Sequence, residues 1–150
     1  MGQEDYLLRG IEKMGAVLRA ILNRLTGTKG NIAFTAENTF EQTSEELNRE
    51  LGFDLSRFLS LDKAESEDYL SRFEGMNTAN LESLAEIIHQ IALEEPTDRQ
   101  RILLDKALQI YSLCETNDKT FSFDRGQRIQ AIQKAQLAVS PKNNLDNLCS

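Results

Sequence analysis

Tryptophan is absent from these 150 residues, and histidine, proline and cysteine are scarce, at one, two and two. A single histidine, His89, excludes a zinc or iron site built from several imidazoles, because such sites take three or four nitrogen or sulfur ligands. Cys114 and Cys149 do not make up the deficit, since neither shares metal-ligand spacing with His89. Apolar runs are only a few residues long, far below the roughly 20 needed to cross a bilayer. Met1 to Asp5 lack the basic segment and apolar run of a secretory signal. Tyr6 stands where a myristoylation motif beginning at Gly2 wants serine or threonine. With no signal toward an oxidising compartment, the two cysteines read as a core residue and a free thiol in a polar tail. The expectation is a cytoplasmic protein. Alternating β-branched segments are also missing: Asn31–Thr35 is the nearest candidate and is too short to build a sheet.

What is present fits one globular domain over 1–150, with 40% hydrophobic and 27% charged residues. The net charge of −7 is unevenly spread. Residues 1–30 carry five basic and three acidic side chains, residues 31–95 four and fifteen, and residues 96–150 eight and six. That acidic centre repels phosphate backbones, so nucleic acid is not an expected partner.

Leu7, Ile11, Met14, Leu18, Ile21 and Leu25 recur at alternating spacings of four and three, which predicts an amphipathic helix over 1–26 with one continuous apolar seam. Gly10 and Gly15 inside it each cost about 1 kcal/mol relative to alanine and suggest close backbone packing. A second helix is predicted from Ala36 to Leu51, stopped by Gly52, and a short apolar turn over Phe53–Leu59 plugs the core. Asp62 followed by Glu65 forms a capping box opening a helix that closes at Gly75. The next helix spans Asn77–Glu94 and stops at Pro96. Thr97–Gln100 reads as a second capping box, opening a helix to about Thr116. The last begins at Phe123 after a cap by Ser122 and ends at Ser140-Pro141, leaving 140–150 as a loosely held tail.

Motifs that carry chemistry are incomplete. Gly27-Thr28-Lys29-Gly30 follows a helix where a phosphate-binding loop follows a strand, so it reads as a capping turn. Asp118, Thr120 and Ser122 alternate oxygen ligands as a calcium loop does, but Phe123 and Ile129 occupy the positions of its glycine and glutamate. Glu45-Glu46, Glu67-Asp68 and Glu94-Glu95 are consecutive, so on a helix their side chains diverge by about 100°. Arg99, Arg101, Arg125 and Arg128 offer a basic edge, either for an acidic peptide or phosphate group or to complement the acidic middle. Cys114 and His89 fall on helices expected to be neighbours and form the one candidate nucleophile–base pair.

Leu104–Tyr111 resembles the second helix of a tetratricopeptide repeat, and Phe123–Ile129 the start of the next repeat, so that residues 100–138 are repeat-like. Over more of its length, at Gln3–Glu12, Leu51–Leu55, Leu81–Ala85 and Ala107–Tyr111, the chain is similar to an uncharacterised bacterial all-helical family, a domain of unknown function. The expected fold is all-α, with six or seven helices as antiparallel hairpins in a short tetratricopeptide-like array along a long N-terminal helix. The expected function is protein or peptide binding without catalysis or cofactor, through a groove or through the seam from Leu7 to Leu25, homo-oligomerisation included. The alternatives are a small cysteine-dependent enzyme using Cys114 and His89, and a protein held at a membrane surface by its first helix.

Overall fold

The computed structural model describes residues 2–27, 36–118 and 122–149, with side chains placed over 5–27, 39–118 and 122–138. It is all-helical across those residues: α1 (Gly2–Gly27), α2 (Ala36–Leu51), α3 (Leu55–Ser60), α4 (Lys63–Ser71), α5 (Thr78–Ala92), α6 (Thr97–Asp118) and α7 (Phe123–Cys149). The class and the number of helices are those expected from periodicity. The candidate strand at Asn31–Thr35 and the turn after Gly27 lie outside the described residues.

The helices do not simply pair with their neighbours in sequence. The most extensive packing joins α5 to α6, and next comes α1 against α5, with α7 on α6. Gly10 meets Gly75 and Gly15 meets Asn80, so α1 and α5 run in the same direction. A Cβ built on Gly75 would lie 2.6 Å from the Gly10 carbonyl oxygen, so the chain entering α5 passes directly over the backbone of α1. Asn80 completes a clasp there: its side-chain amide donates to the carbonyls of Gly75 at 2.6 Å and Ile11 at 3.1 Å. The close packing that Gly10 and Gly15 suggested is therefore real, but the residue that must lack a side chain is Gly75.

The α2–α4 segment carries the chain back across the bundle. Gly52, at φ 71°, ends α2 in the left-handed conformation and lets the Phe53 N–H donate to the Leu47 carbonyl at 3.2 Å. Phe53, Phe58, Tyr69 and Phe73 then gather in a knot, with Phe53 within 5.5 Å, centroid to centroid, of each of the other three rings. Tyr69 has a second function there, since its hydroxyl accepts from the Asp54 N–H at 2.9 Å. The capping box forms as expected, the Asp62 carboxylate accepting from the Glu65 N–H at 2.8 Å and Glu65 from the Asp62 N–H at 3.1 Å.

Three boundaries differ from the sequence reading. α4 ends at Ser71, before Gly75, because the Arg72 and Phe73 N–H groups turn to the tighter partners Tyr69 and Leu70. Thr97–Gln100 makes no capping box: the Gln100 side-chain amide donates to the Ala92 carbonyl at 2.9 Å and ties the start of α6 to the end of α5. Residues 140–149 continue α7 past Pro141, which denies the helix only the one bond its own N–H would make to Leu137.

The core unites Met14, Leu18 and Ile21 of α1 with Leu84, Ile87, Ile88 and Ile91 of α5 and Leu103, Leu104, Ile110 and Tyr111 of α6. Gly75→Ala is expected to lower stability by about 1–3 kcal/mol, because backbone must move to admit the methyl. Gly10→Ala meets nothing within 4 Å, and is expected to be neutral or to add up to about 1 kcal/mol by helix propensity. Equal urea midpoints for the two variants would show that the clasp does not hold α1 in place.

Candidate functional site

α5 places Glu82, Glu86 and His89 at successive turns of one face, the side opposite its contact with α1. α7 answers with arginines. Arg125 is 3% exposed and donates to Glu82 through Nε at 2.9 Å and Nη2 at 2.6 Å, and to Asp118 of α6 at 3.1 Å. Arg128 pairs with Glu86 at 3.3 Å. Both arginines thus satisfy the acidic middle of the chain. Arg99, at the opposite end of α6, lies 4.4 Å above the Phe40 ring and pairs with Glu95 at 3.4 Å, so the four arginines form no common edge.

The Ser122 hydroxyl caps α7 by accepting from the Arg125 N–H at 3.2 Å. That uses the residue the calcium-loop pattern would need, and Asp118 is turned toward Arg125; Thr120 lies outside the described residues. Among the described residues no group of three or more histidine, cysteine, aspartate or glutamate side chains converges to hold a metal ion.

Cys114 and His89 are not brought together. The Cys114 thiol points to the Thr78 carbonyl at 3.8 Å, whereas Gln100 meets Ala92 at the far end of the same helix pair. In that register His89 lies level with residue 103, eleven positions from Cys114, or about 16 Å along the helix axis. Cys114 is fully buried, and burial pushes its thiol up to about 12, with Glu82 adding to the rise and Arg125 opposing it. A nucleophilic cysteine needs the opposite shift. Burial likewise raises the pKa of Tyr111, between Arg128 and Glu86, and holds that of His89 below its ordinary value, with Glu86 partly countering. The Cys149 side chain lies outside the described residues.

Lys106 has no counterpart in the sequence reading. It is 3% exposed, and its ammonium donates to the Leu61 carbonyl at 2.5 Å and to the Ser66 hydroxyl, 4.8 Å from the centre of the Phe58 ring. Burial lowers its pKa, partly offset by Asp62 and Glu65. The signal that would have found it is its position: Leu103, Ala107 and Ile110 define the inward face of α6, and Lys106 falls on that face. Nearby, a crevice of about 50 Å³ between α4 and α6 is lined by Lys63, Ser66, Glu67, Gln109, Ser112 and Thr116. It admits water but is far below the ~300 Å³ of a small-molecule site.

The α1 seam divides. Met14, Leu18 and Ile21 are buried inside the domain and Ile11 and Leu25 partly so, because α5 covers them. They are not available to another chain, as the seam reading had allowed. Leu7 is 45% exposed, and Tyr6 and Leu8 beside it are 68% and 55% exposed. No described helix is long and apolar enough to cross a membrane. No protein-family model, no curated protein and no solved structure matches the chain.

Two outcomes follow for the buried groups. Burial keeps the Cys114 thiol protonated in the fold at pH 8, so alkylation of a Cys149→Ser variant is expected to proceed only when the thiol is uncovered. For His89 the folded pKa lies below the unfolded one, so above the unfolded value the residue is neutral in both states and contributes nothing to pH dependence. As pH falls through the unfolded value, the unfolded chain takes up the proton first and stability declines, until the folded value is passed. Below neutrality wild type is expected to lose stability relative to His89→Gln in urea unfolding, and parallel curves would contradict this.

Proposed function

We propose that this chain is a non-catalytic protein-binding helical module that makes its contact through the uncovered first turns of α1. The observation that carries the reading is the run Tyr6-Leu7-Leu8, three consecutive large apolar side chains left in solvent beyond the point where Gly75 crosses Gly10. Seen along the helix, Leu7 continues the seam that α5 covers from Met14 onward, so the tip is an amphipathic helix face that has outrun its own domain. Consecutive residues fan over about 200° of the helix surface, which suits burial in a groove or between helices better than contact with a flat wall. Arg9 and Lys13 flank Tyr6, while Glu12 flanks Leu8, and opposite charges on the two sides favour one orientation of a bound partner. The separation of Cys114 from His89 supports a role without catalysis. The antiparallel pairing of α6 with α7, the segments that resemble a tetratricopeptide repeat, supports a place among helical binding modules.

Tyr6→Ser, Leu7→Ser and Leu8→Ser together are expected to change stability by about 1.5 kcal/mol or less, since these side chains touch solvent. The same triple variant is expected to weaken association at least about tenfold, as loss of an apolar hot spot does. Sedimentation reads self-association, and proximity labelling in cells reads contact with another protein. A wild-type chain that stays monomeric and labels the same neighbours as the variant would rule this reading out.

A further inference from the structure

α7 differs from every other long helix in what holds it. Among its described side chains, 123–138, the inward positions are Arg125, Arg128, Ile129, Ile132, Ala135 and Gln136, and of these only Arg125 and Ile132 are fully buried. α5, by comparison, buries seven apolar side chains. α7 lies antiparallel to α6, with Arg125 level with Asp118 and the Gln136 amide donating to Asp105 at 2.7 Å, and it runs in the same direction as α5, with Glu82 and Glu86 meeting Arg125 and Arg128 in turn. The helix therefore lies along α6 and reaches across the α5/α6 groove to its acidic rim, with Arg128 beside Tyr111 and Arg125 near Cys114. Arg125 Nη1 is buried and finds no acceptor among the described residues, so the network that fastens α7 is incompletely satisfied.

We propose that the α5/α6 groove is a binding site for a basic amphipathic helix of a protein partner, and that α7 is its resident, autoinhibitory occupant. The recognition chemistry is legible in α7 itself: two arginines three residues apart meet two glutamates four apart, and an isoleucine four residues further on enters the core. A partner helix with the same pattern makes the same contacts once α7 lifts. Because α7 contributes little apolar burial over 123–138, this part of the helix opens while α1, α5 and α6 stay packed. This site is separate from the α1 tip and does not depend on it.

The test uses the full chain with Cys149→Ser, so that Cys114, buried near Arg125, is the only thiol and reports loss of the cover that α7 provides. Arg125→Gln with Arg128→Gln releases the lid and leaves the groove intact, and Glu82→Gln with Glu86→Gln releases the lid and removes the acidic rim. Both pairs are expected to raise the rate of Cys114 modification at least about tenfold at low salt, while amide exchange in α5 stays slow. A fluorescent peptide of residues 122–138 is expected to bind the arginine variant at least about tenfold more tightly than wild type, and the glutamate variant no better than wild type.

Four results would overturn the proposal. Cys114 modification that only keeps pace with exchange in α5 would make α7 part of one cooperative core, and loss of helical circular dichroism in the variants would mean the same. A peptide that binds both variants alike, or neither, would remove the charge-based recognition. Dimerisation of the arginine variant would make a second copy's α7 the occupant instead of a partner helix.

Discussion

Everything in this molecule depends on α5 being packed on three sides at once. α1 lies along one side, α6 along a second and the arginines of α7 along a third, and a helix so enclosed must be apolar around most of its circumference. Leu81, Leu84, Ala85, Ile87, Ile88, Ile91 and Ala92 meet that demand and leave a single polar stripe, Glu82, Glu86 and His89. The direction of the whole bundle follows from the start of this helix. Because Gly75 crosses Gly10 and the Asn80 amide bonds a carbonyl on each side of that crossing, α1 cannot slide or tilt without breaking a partly buried hydrogen bond.

Around that centre, packing and polar satisfaction alternate. The α3–α4 excursion is anchored by the rings of Phe53, Phe58, Tyr69 and Phe73, which need partners but no fixed polar geometry. Its link to α6 is the reverse: Lys106 is a buried cation with no carboxylate in direct contact among the described residues, stabilised by a carbonyl, a hydroxyl and a ring face. Such a group contributes little net stability but fixes the position at which the excursion lands, since displacing the ammonium by an ångström or two forfeits all three contacts.

The helices were legible in sequence because periodicity and caps are local signals. Asp62 and Glu65 announce their capping box, Gly52 announces its left-handed turn, and the spacing from Leu7 to Leu25 identifies a helix with one apolar seam. What the pattern could not supply was the partner of that seam, because periodicity gives a face and not its neighbour. The Gly75–Gly10 crossing joins residues 65 positions apart through backbone, where no side-chain pattern exists to be read. Thr97–Gln100 shows the same limit, since its residues fit a capping box and Gln100 serves a different helix. At the site, Cys114 and His89 fell on adjacent helices as expected, and only the register between those helices separates them. Arg125 and Lys106 read as ordinary surface cations until the acidic face of α5 and the carbonyl of Leu61 are in place.

The long reach from α1 to α5 also has a consequence for the protein's synthesis. α1 is made before α5, and the residue that clasps it, Asn80, follows Ile11 by 69 positions. At about 5–20 residues per second, the apolar seam from Met14 to Ile21 leaves the ribosome several seconds before its covering helix exists. α2, the aromatic knot and α4 emerge in that interval, and of these only α2 makes more than slight contact with α1. The nascent chain therefore presents a helix-forming hydrophobic segment while the residues between α1 and α5 are made, and shielding of that segment falls to whatever meets the chain at the exit tunnel.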